Sequence, residues 1–208
     1  MRSKVVEAAK KLYTELFNDV IIKDYPNAKN LFEYIKQSTF FTDPASIKYH
    51  SSYEGGLCVH SVFVKDRLSD LIEHNLNNFA TKNITYEYKE SDVAIAALCH
   101  DLCKIGTYKI ATRNVKVKSP SGVTNWQEEQ FYTYNEPEFV YGHGEKSAFL
   151  ISKFVEVPDF VLQAVRYHMG GIETFGHDPN ASKAYAQNPL ALLLHIADLQ
   201  ATYLDEVE

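Results

Sequence analysis

Cysteine is scarce in this chain. Three residues, Cys58, Cys99 and Cys103, occur among 208, an odd number, and all three sit in apolar surroundings. Reduced, buried thiols in a cytoplasmic protein are the simplest reading, and two thiols four residues apart supply only half of a structural zinc site. Long apolar runs are missing too. None approaches the roughly 20 residues needed to cross a bilayer, and Met1–Glu7 lacks the apolar core of a secretory leader. Positive charge is in short supply: 21 Lys and Arg stand against 27 Asp and Glu, a net charge of −6. That balance excludes an extended basic face for duplex DNA and leaves room for a local basic groove. No internal repeat and no low-complexity stretch interrupts the chain. The remaining composition, 45% apolar and 23% charged, is that of a globular protein able to bury a core unaided. We therefore expect residues 1–208 to form a single domain.

Apolar residues at Val5, Val6, Ala9, Leu12, Tyr13, Leu16, Phe17 and Val20 recur at helical spacing, which predicts a helix over 4–22 that ends before Pro26. A short helix follows around Leu31–Ile35, and Thr42-Asp43-Pro44 reads as a helix-start signal. Gly55-Gly56 breaks the chain and begins a long helix through about Leu76, with His60 in its first turns. Residues 77–90 read as a loop, and Ser91-Asp92 as the cap of a helix running into His100-Asp101. From about 107 to 141 the period changes to alternation, with a turn at Ser119-Pro120-Ser121-Gly122, which predicts a β-hairpin inserted between helices. Gly142-His143 opens another helix, and Pro158-Asp159 opens the next, which a glycine stop closes after His168. Residues 171–187 read as irregular, and Asn188-Pro189 starts a last helix to about Leu204 that carries Asp198. The expected fold class is all-α with a small β-hairpin insertion.

Ala97-Leu98-Cys99-His100-Asp101-Leu102-Cys103-Lys104 sets a carboxylate and an imidazole at the end of an apolar run, where a buried charge needs a partner or a metal. His60, His100, Asp101, His143, His168 and Asp198 come from five separate segments, each beside apolar residues or a glycine. Imidazole plus carboxylate suits divalent manganese, iron, cobalt, nickel or zinc, one ion or two. A carboxylate can bridge two ions about 3.5–4 Å apart, an arrangement that activates water and clamps a phosphoryl group.

The order His60, His100-Asp101, Asp198 resembles the H…HD…D signature of the HD-domain superfamily of metal-dependent phosphohydrolases. Gly55-Gly56-Leu57-Cys58-Val59-His60-Ser61 looks like its first-histidine motif, residues 97–106 like its ALLHDIGK motif, and Ile196-Ala197-Asp198 like its last. His143 and His168 fall where the binuclear branch carries extra histidines. The resemblance spans residues 50 to 204. It implies a helical bundle in which His60, His100, Asp101 and Asp198 hold one metal, with Asp101 bridging to a second on His143 and His168. It implies that Lys104 meets a substrate phosphate, against the alternative of a helix-end lysine in solvent. Cys103 departs from the family's usual glycine, which leaves the packing of that turn open.

Other residues carry weaker readings. His195, three before Asp198, could orient it or be a satisfied core histidine. His50 and Glu54 could line the pocket, His74 and His177 read as surface residues, and Lys146 as a solvated lysine rather than a phosphate contact. Arg166 points away from the face of His168. In the insertion, Lys109, Arg113, Lys116 and Lys118 with Tyr108, Trp126, Phe131, Tyr132 and Tyr134 combine cations and flat faces, as single-stranded nucleic acid binding requires. The favoured alternative is a ribbon whose aromatics pack on the helical core. The resemblance thus implies metal-activated water cleaving a phosphate ester in a small phosphorylated substrate, a nucleotide or oligonucleotide, with Asp101 and Lys104 catalytic. Two rival readings remain: a di-iron oxygenase with the same ligand order, and a binding or regulatory module that keeps the metal as structure.

Overall fold

The computed structural model describes residues 2–80, 88–119, 122, 124–135, 141–170 and 178–206, without the side chains of 76–80 and 179. The described residues contain eight helices and one hairpin. Helix α1 (Arg2–Leu16) continues through a π-turn, Phe17–Ile21, and a last turn, Ile22–Asp24, so the expected helix over 4–22 forms with a widened segment inside it. Then come α2 (Ala28–Gln37), α3 (Gly56–Ala80), α4 (Glu90–Cys99) and a 3-10 turn at Leu102–Lys104. Strands β1 (Tyr108–Lys118) and β2 (Thr124–Tyr134) precede α5 (His143–Phe154), α6 (Asp159–Tyr167), α7 (Pro179–Gln187) and α8 (Pro189–Gln200), which closes in a π-turn at Ala201–Asp205.

Helix α4 is the axis of the bundle. Every residue from Ser91 to Cys99 is buried, and a helix buried on all sides needs neighbours all round. It receives α3 on one side, α6 on another and the Phe17–Ile21 π-turn on a third, while α8 packs against both α3 and α6. Tyr13, with no exposure, donates its hydroxyl to the Leu98 carbonyl at 3.1 Å and ties α1 to the site-bearing end of α4. Its ring meets Phe17 and Phe40 at 5.5 and 4.9 Å, and Phe17 stacks on Phe32 at 4.7 Å. Such pairs add about 0.5–1.5 kcal/mol each beyond their buried area.

Two glycines allow close approach where the site needs it. A Cβ on Gly56 would lie 2.0 Å from the Ser51 carbonyl oxygen, and one on Gly144 would lie 2.3 Å from that of Arg166. The second contact lets the first turn of α5 press against the end of α6, which brings His143 to His168.

Several local expectations are corrected. Thr42-Asp43-Pro44 starts no helix, because the Asp43 carboxylate instead accepts from Thr39 Oγ1 (2.5 Å) and from Gly106 N (2.8 Å), pinning an irregular segment beside the HD turn. Helix α4 starts one residue earlier than Ser91, and Lys89 is its cap: Asp92 reaches back to the Lys89 N–H at 3.3 Å, and Ser91 donates to Asp24 at 2.7 Å. Helix α3 runs to Ala80 rather than Leu76. The stretch read as irregular over 171–187 contains α7, started by Asp178, whose side chain accepts from Asn180 N at 2.9 Å. Residues 171–177, His177 among them, lie outside the described residues. The glycine stop after His168 is present at Gly170, with φ +68°.

The hairpin forms in the expected place, paired antiparallel from Tyr108↔Tyr134 to Lys118↔Thr124. A two-stranded ribbon is marginal alone, and its base is fastened by Asn135, which donates to the Thr107 and Gly106 carbonyls. Its aromatics do not all pack on the helices: Trp126 is 65% exposed under Lys116, whose Nζ sits 5.0 Å from the ring. Phe131 and Tyr132 are half-buried. No described helix is long and apolar enough to cross a membrane.

Candidate metal centre

The C-terminal end of α4 delivers His100 and Asp101 into the bundle, at a helix terminus whose dipole favours cations. His60 comes from the second turn of α3, Asp198 from α8, His143 from the first residue of α5 and His168 from the residue after α6. The structure brings all six together. Asp101 is at their centre, 2% exposed, and its two oxygens face different histidine pairs. Oδ1 lies 2.5 Å from His143 Nε2 and 3.6 Å from His168 Nε2. Oδ2 lies 3.4 Å from His100 Nε2, 3.5 Å from His60 Nε2 and 2.6 Å from Lys104 Nζ. Asp198 Oδ1 stands 3.2 Å from His60 Nε2, which is itself 3.3 Å from His100 Nε2.

Three of the imidazoles are oriented from behind. His100 Nδ1 donates to the Ala97 carbonyl and His168 Nδ1 to the Val165 carbonyl, both at 2.7 Å. His60 Nδ1 donates to Glu206 Oε1, also at 2.7 Å. An acceptor at Nδ1 fixes the tautomer and leaves Nε2 as the atom able to ligate a metal. His168 Nε2 is buried with no hydrogen-bond partner in the protein, a donor atom that a metal ion would satisfy. Ligand atoms of His60, His100 and Asp198 lie within 4.8 Å of one another, as do those of His100, Asp101 and His168. The donor set, imidazole nitrogens with shared carboxylates, fits first-row divalent ions.

The electrostatics describe the same centre. Burial alone would raise Asp101, but Lys104 together with His100 and His143 holds it well below the usual carboxylate range. Asp198 is likewise depressed, its burial outweighed by His60. Burial would lower His60, yet the Glu206 and Asp198 carboxylates outweigh it and raise the ring to about 10. In the metal-free protein His60 is therefore a cation, whose proton a bound metal would displace. Burial lowers His143, and it lowers His50 to about 4, helped by the neighbouring His60 and Lys104.

A cavity of about 610 Å³ opens beside the centre, lined by Lys104 and Asp198 with His50, His195 and Glu206. His50 thus meets its expectation as a pocket residue, whereas Glu54 is exposed and lies outside this lining. The hydrogen bond His195 makes is not to Asp198: its Nδ1 donates to the His168 carbonyl at 2.6 Å, bracing that residue instead. Lys146 donates to the Cys103 carbonyl at 2.9 Å instead of facing solvent. Cys103 itself fits the turn, buried, with its N–H on Ser147 Oγ at 3.0 Å. Arg166 pairs with Glu145 at 2.7 Å, away from the centre, and His74 is exposed. Glu206 went unread in the sequence. No sequence signal marks it: the α-helix gives way to a π-turn at Ala201–Asp205, and Glu206 follows that turn, where spacing of four no longer tracks one helix face.

A family model for the HD domain matches residues 57–201, a span that holds all six clustered residues, and the chain belongs to that family. The family includes metal-dependent phosphohydrolases. No curated protein and no solved structure matches the chain.

Proposed function

We propose that residues 1–208 form one HD-type domain, working in the cytoplasm as a metal-dependent phosphohydrolase on a small phosphorylated substrate, a nucleotide. The observation that carries this is the placement of Asp101. One carboxylate oxygen faces His143 and His168, and the other faces His60 and His100, which supports two ions bridged by Asp101 with Asp198 completing the His60 side. Divalent ions held there supply Lewis-acid stabilisation of the phosphoryl group and a water acidic enough to act as nucleophile. The protein's own part is to hold the six ligands rigidly, to place a cation and to shape the cavity. Lys104, 11% exposed and lining the cavity, is the cation. From its place on Asp101 Oδ2 it can turn to a phosphate oxygen as negative charge develops there. A cavity of about 610 Å³ suits a ligand of nucleotide size.

The test is elemental analysis of protein purified without chelator, paired with a manganese-supplemented screen of phosphomonoesters, phosphodiesters and nucleotides. Near two equivalents of metal and release of phosphate or nucleoside are expected. Iron with oxygen consumption and no phosphate release would overturn the reading in favour of the oxygenase. No metal at all would leave a binding module.

A further inference from the structure

The cavity beside the metal centre carries groups that phosphate hydrolysis does not use. Two of its lining residues, His50 and Glu206, each hold a buried polar atom with no partner in the protein: His50 Nε2 and Glu206 Oε2. The Glu206 side chain is 1% exposed, so that oxygen meets almost no bulk water although the residue lines the cavity. Leaving such atoms unsatisfied is costly, and a carboxylate oxygen can be satisfied only by a donor. A ring nitrogen of His50 and a carboxylate oxygen of Glu206 lie within 4.8 Å, together with a nitrogen of His60. A second metal site is the obvious reading of that trio, but the His60 nitrogen on this side already donates to Glu206 Oε1 and offers no lone pair.

A ligand with neutral donors fits better. Lys48 and Lys104 line the same cavity and disfavour an ammonium, whereas a sugar hydroxyl brings a donor without charge. Adjacent hydroxyls, as on a cis-diol, would meet both orphaned atoms at once. The lining also has an aromatic part. Tyr49 is 80% exposed and Tyr203 69% exposed, and both line this cavity with their rings uncovered. Flat exposed rings offer stacking to a base. The wall thus combines a cation beside the metal centre, hydroxyl acceptors and aromatic faces, one feature for each part of a nucleoside 5′-phosphate.

We propose that this cavity is the ribose and base subsite of a ribonucleoside phosphate, with Glu206 and His50 holding the sugar's cis-diol and Tyr49 and Tyr203 packing on the base. The proposal rests on the hydrolase reading for its phosphate and adds the choice of ribose over deoxyribose.

The experiment compares kcat/KM of the manganese-loaded protein on ribonucleoside, 2′-deoxyribonucleoside and 3′-dexoyribonucleoside 5′-monophosphates. Loss of a hydrogen bond to a buried charged acceptor predicts that each deoxy substrate falls about 10- to 100-fold. Glu206→Gln, whose amide oxygen can still hold His60 but whose amide nitrogen no longer accepts, should compress that ratio. Tyr203→Ala should raise KM for every nucleotide and leave the ratio as it was. Equal turnover of ribo and deoxy substrates would overturn the subsite while leaving the hydrolase intact. If no phosphoester is cleaved at all, the hydrolase reading fails instead. Calorimetry with ribonucleosides and deoxyribonucleosides then decides the subsite alone: preferential ribonucleoside binding supports it, and equal or absent binding overturns it.

Discussion

Replacing each half of the Asp101–Lys104 pair should have unequal consequences, and the inequality tests the role given to Asp101. At 2.6 Å, with the two side chains 2% and 11% exposed, the pair attracts with about 6 kcal/mol at an effective dielectric of about 20. Desolvation consumes much of that, so the measurable quantity is the cost of stranding one partner. Asp101→Asn strands Lys104 beside a cationic His60, and breaking a buried pair in this way costs about 3–5 kcal/mol. For a chain of this length that lowers the Tm of the metal-free protein by about 6–20 °C. Lys104→Met strands less, because Asp101 keeps His143 at 2.5 Å and the His60–His100 pair on its other oxygen; about 1.5–3 kcal/mol is expected. Manganese separates the two variants. An ion at 100 times its Kd stabilises the protein by about 2.7 kcal/mol, so wild type and Lys104→Met should both gain roughly 5–11 °C. Asp101→Asn should gain nothing. Thermal unfolding with and without manganese reads all six values. If Asp101→Asn gains as much Tm from manganese as wild type, Asp101 is no ligand and the centre has been misread.

If two ions bind, His143→Ala and His168→Ala should each lower metal stoichiometry from near two to near one by elemental analysis, and two unchanged stoichiometries would sink the binuclear reading. Stability of the metal-free protein should fall with rising pH. His60, raised from 6.5 to about 10, contributes fully below 6.5 and loses its contribution as pH climbs through 10. The buried thiols, pushed up to about 12 from 9, act in the same direction only above pH 9. Urea midpoints between pH 7 and 8.5 therefore report His60, and a midpoint that rises across that window would contradict the assignment. Gly144→Ala places a Cβ 2.3 Å from the Arg166 carbonyl, a backbone atom with little room to yield. It should cost about 1–3 kcal/mol of stability, read as a lowered Tm, and, by levering His143 from His168, reduce metal stoichiometry as well; normal stoichiometry in a destabilised variant would show that the two effects are separable.

What the sequence made legible follows from the range of the interactions concerned. Helix periodicity, the hairpin alternation and the glycine stop at Gly170 are local, and each was read within a few residues of where it lies. The six clustered residues were legible because they sit in five short motifs, and a buried imidazole or carboxylate announces itself against an apolar run. The failures have a common cause. Asp43 looked like a helix start because its real partner, Gly106, is 63 residues away. Helix α7 was lost because the residues it buries, Ala181 and Ala184, are small and make only a weak apolar stripe among polar neighbours.

Glu206 is the most instructive omission. It holds His60 across 146 residues, from just after a π-turn that no motif marks. Arg67 fastens that turn to α3 through the neighbouring Asp205, with Nε 2.7 Å from Oδ2 and a second guanidinium nitrogen on the other oxygen. One fork thus sets where the chain after α8 lies, and with it which carboxylate stands behind the first histidine and which atoms line the cavity. The six clustered residues come from short motifs that the family match spans. The residues proposed to choose the substrate, His50 and Glu206, lie outside the matched residues 57–201, one on either side. On that division, the metal chemistry follows from the shared core, while selectivity has to be read from what this particular chain folds over it.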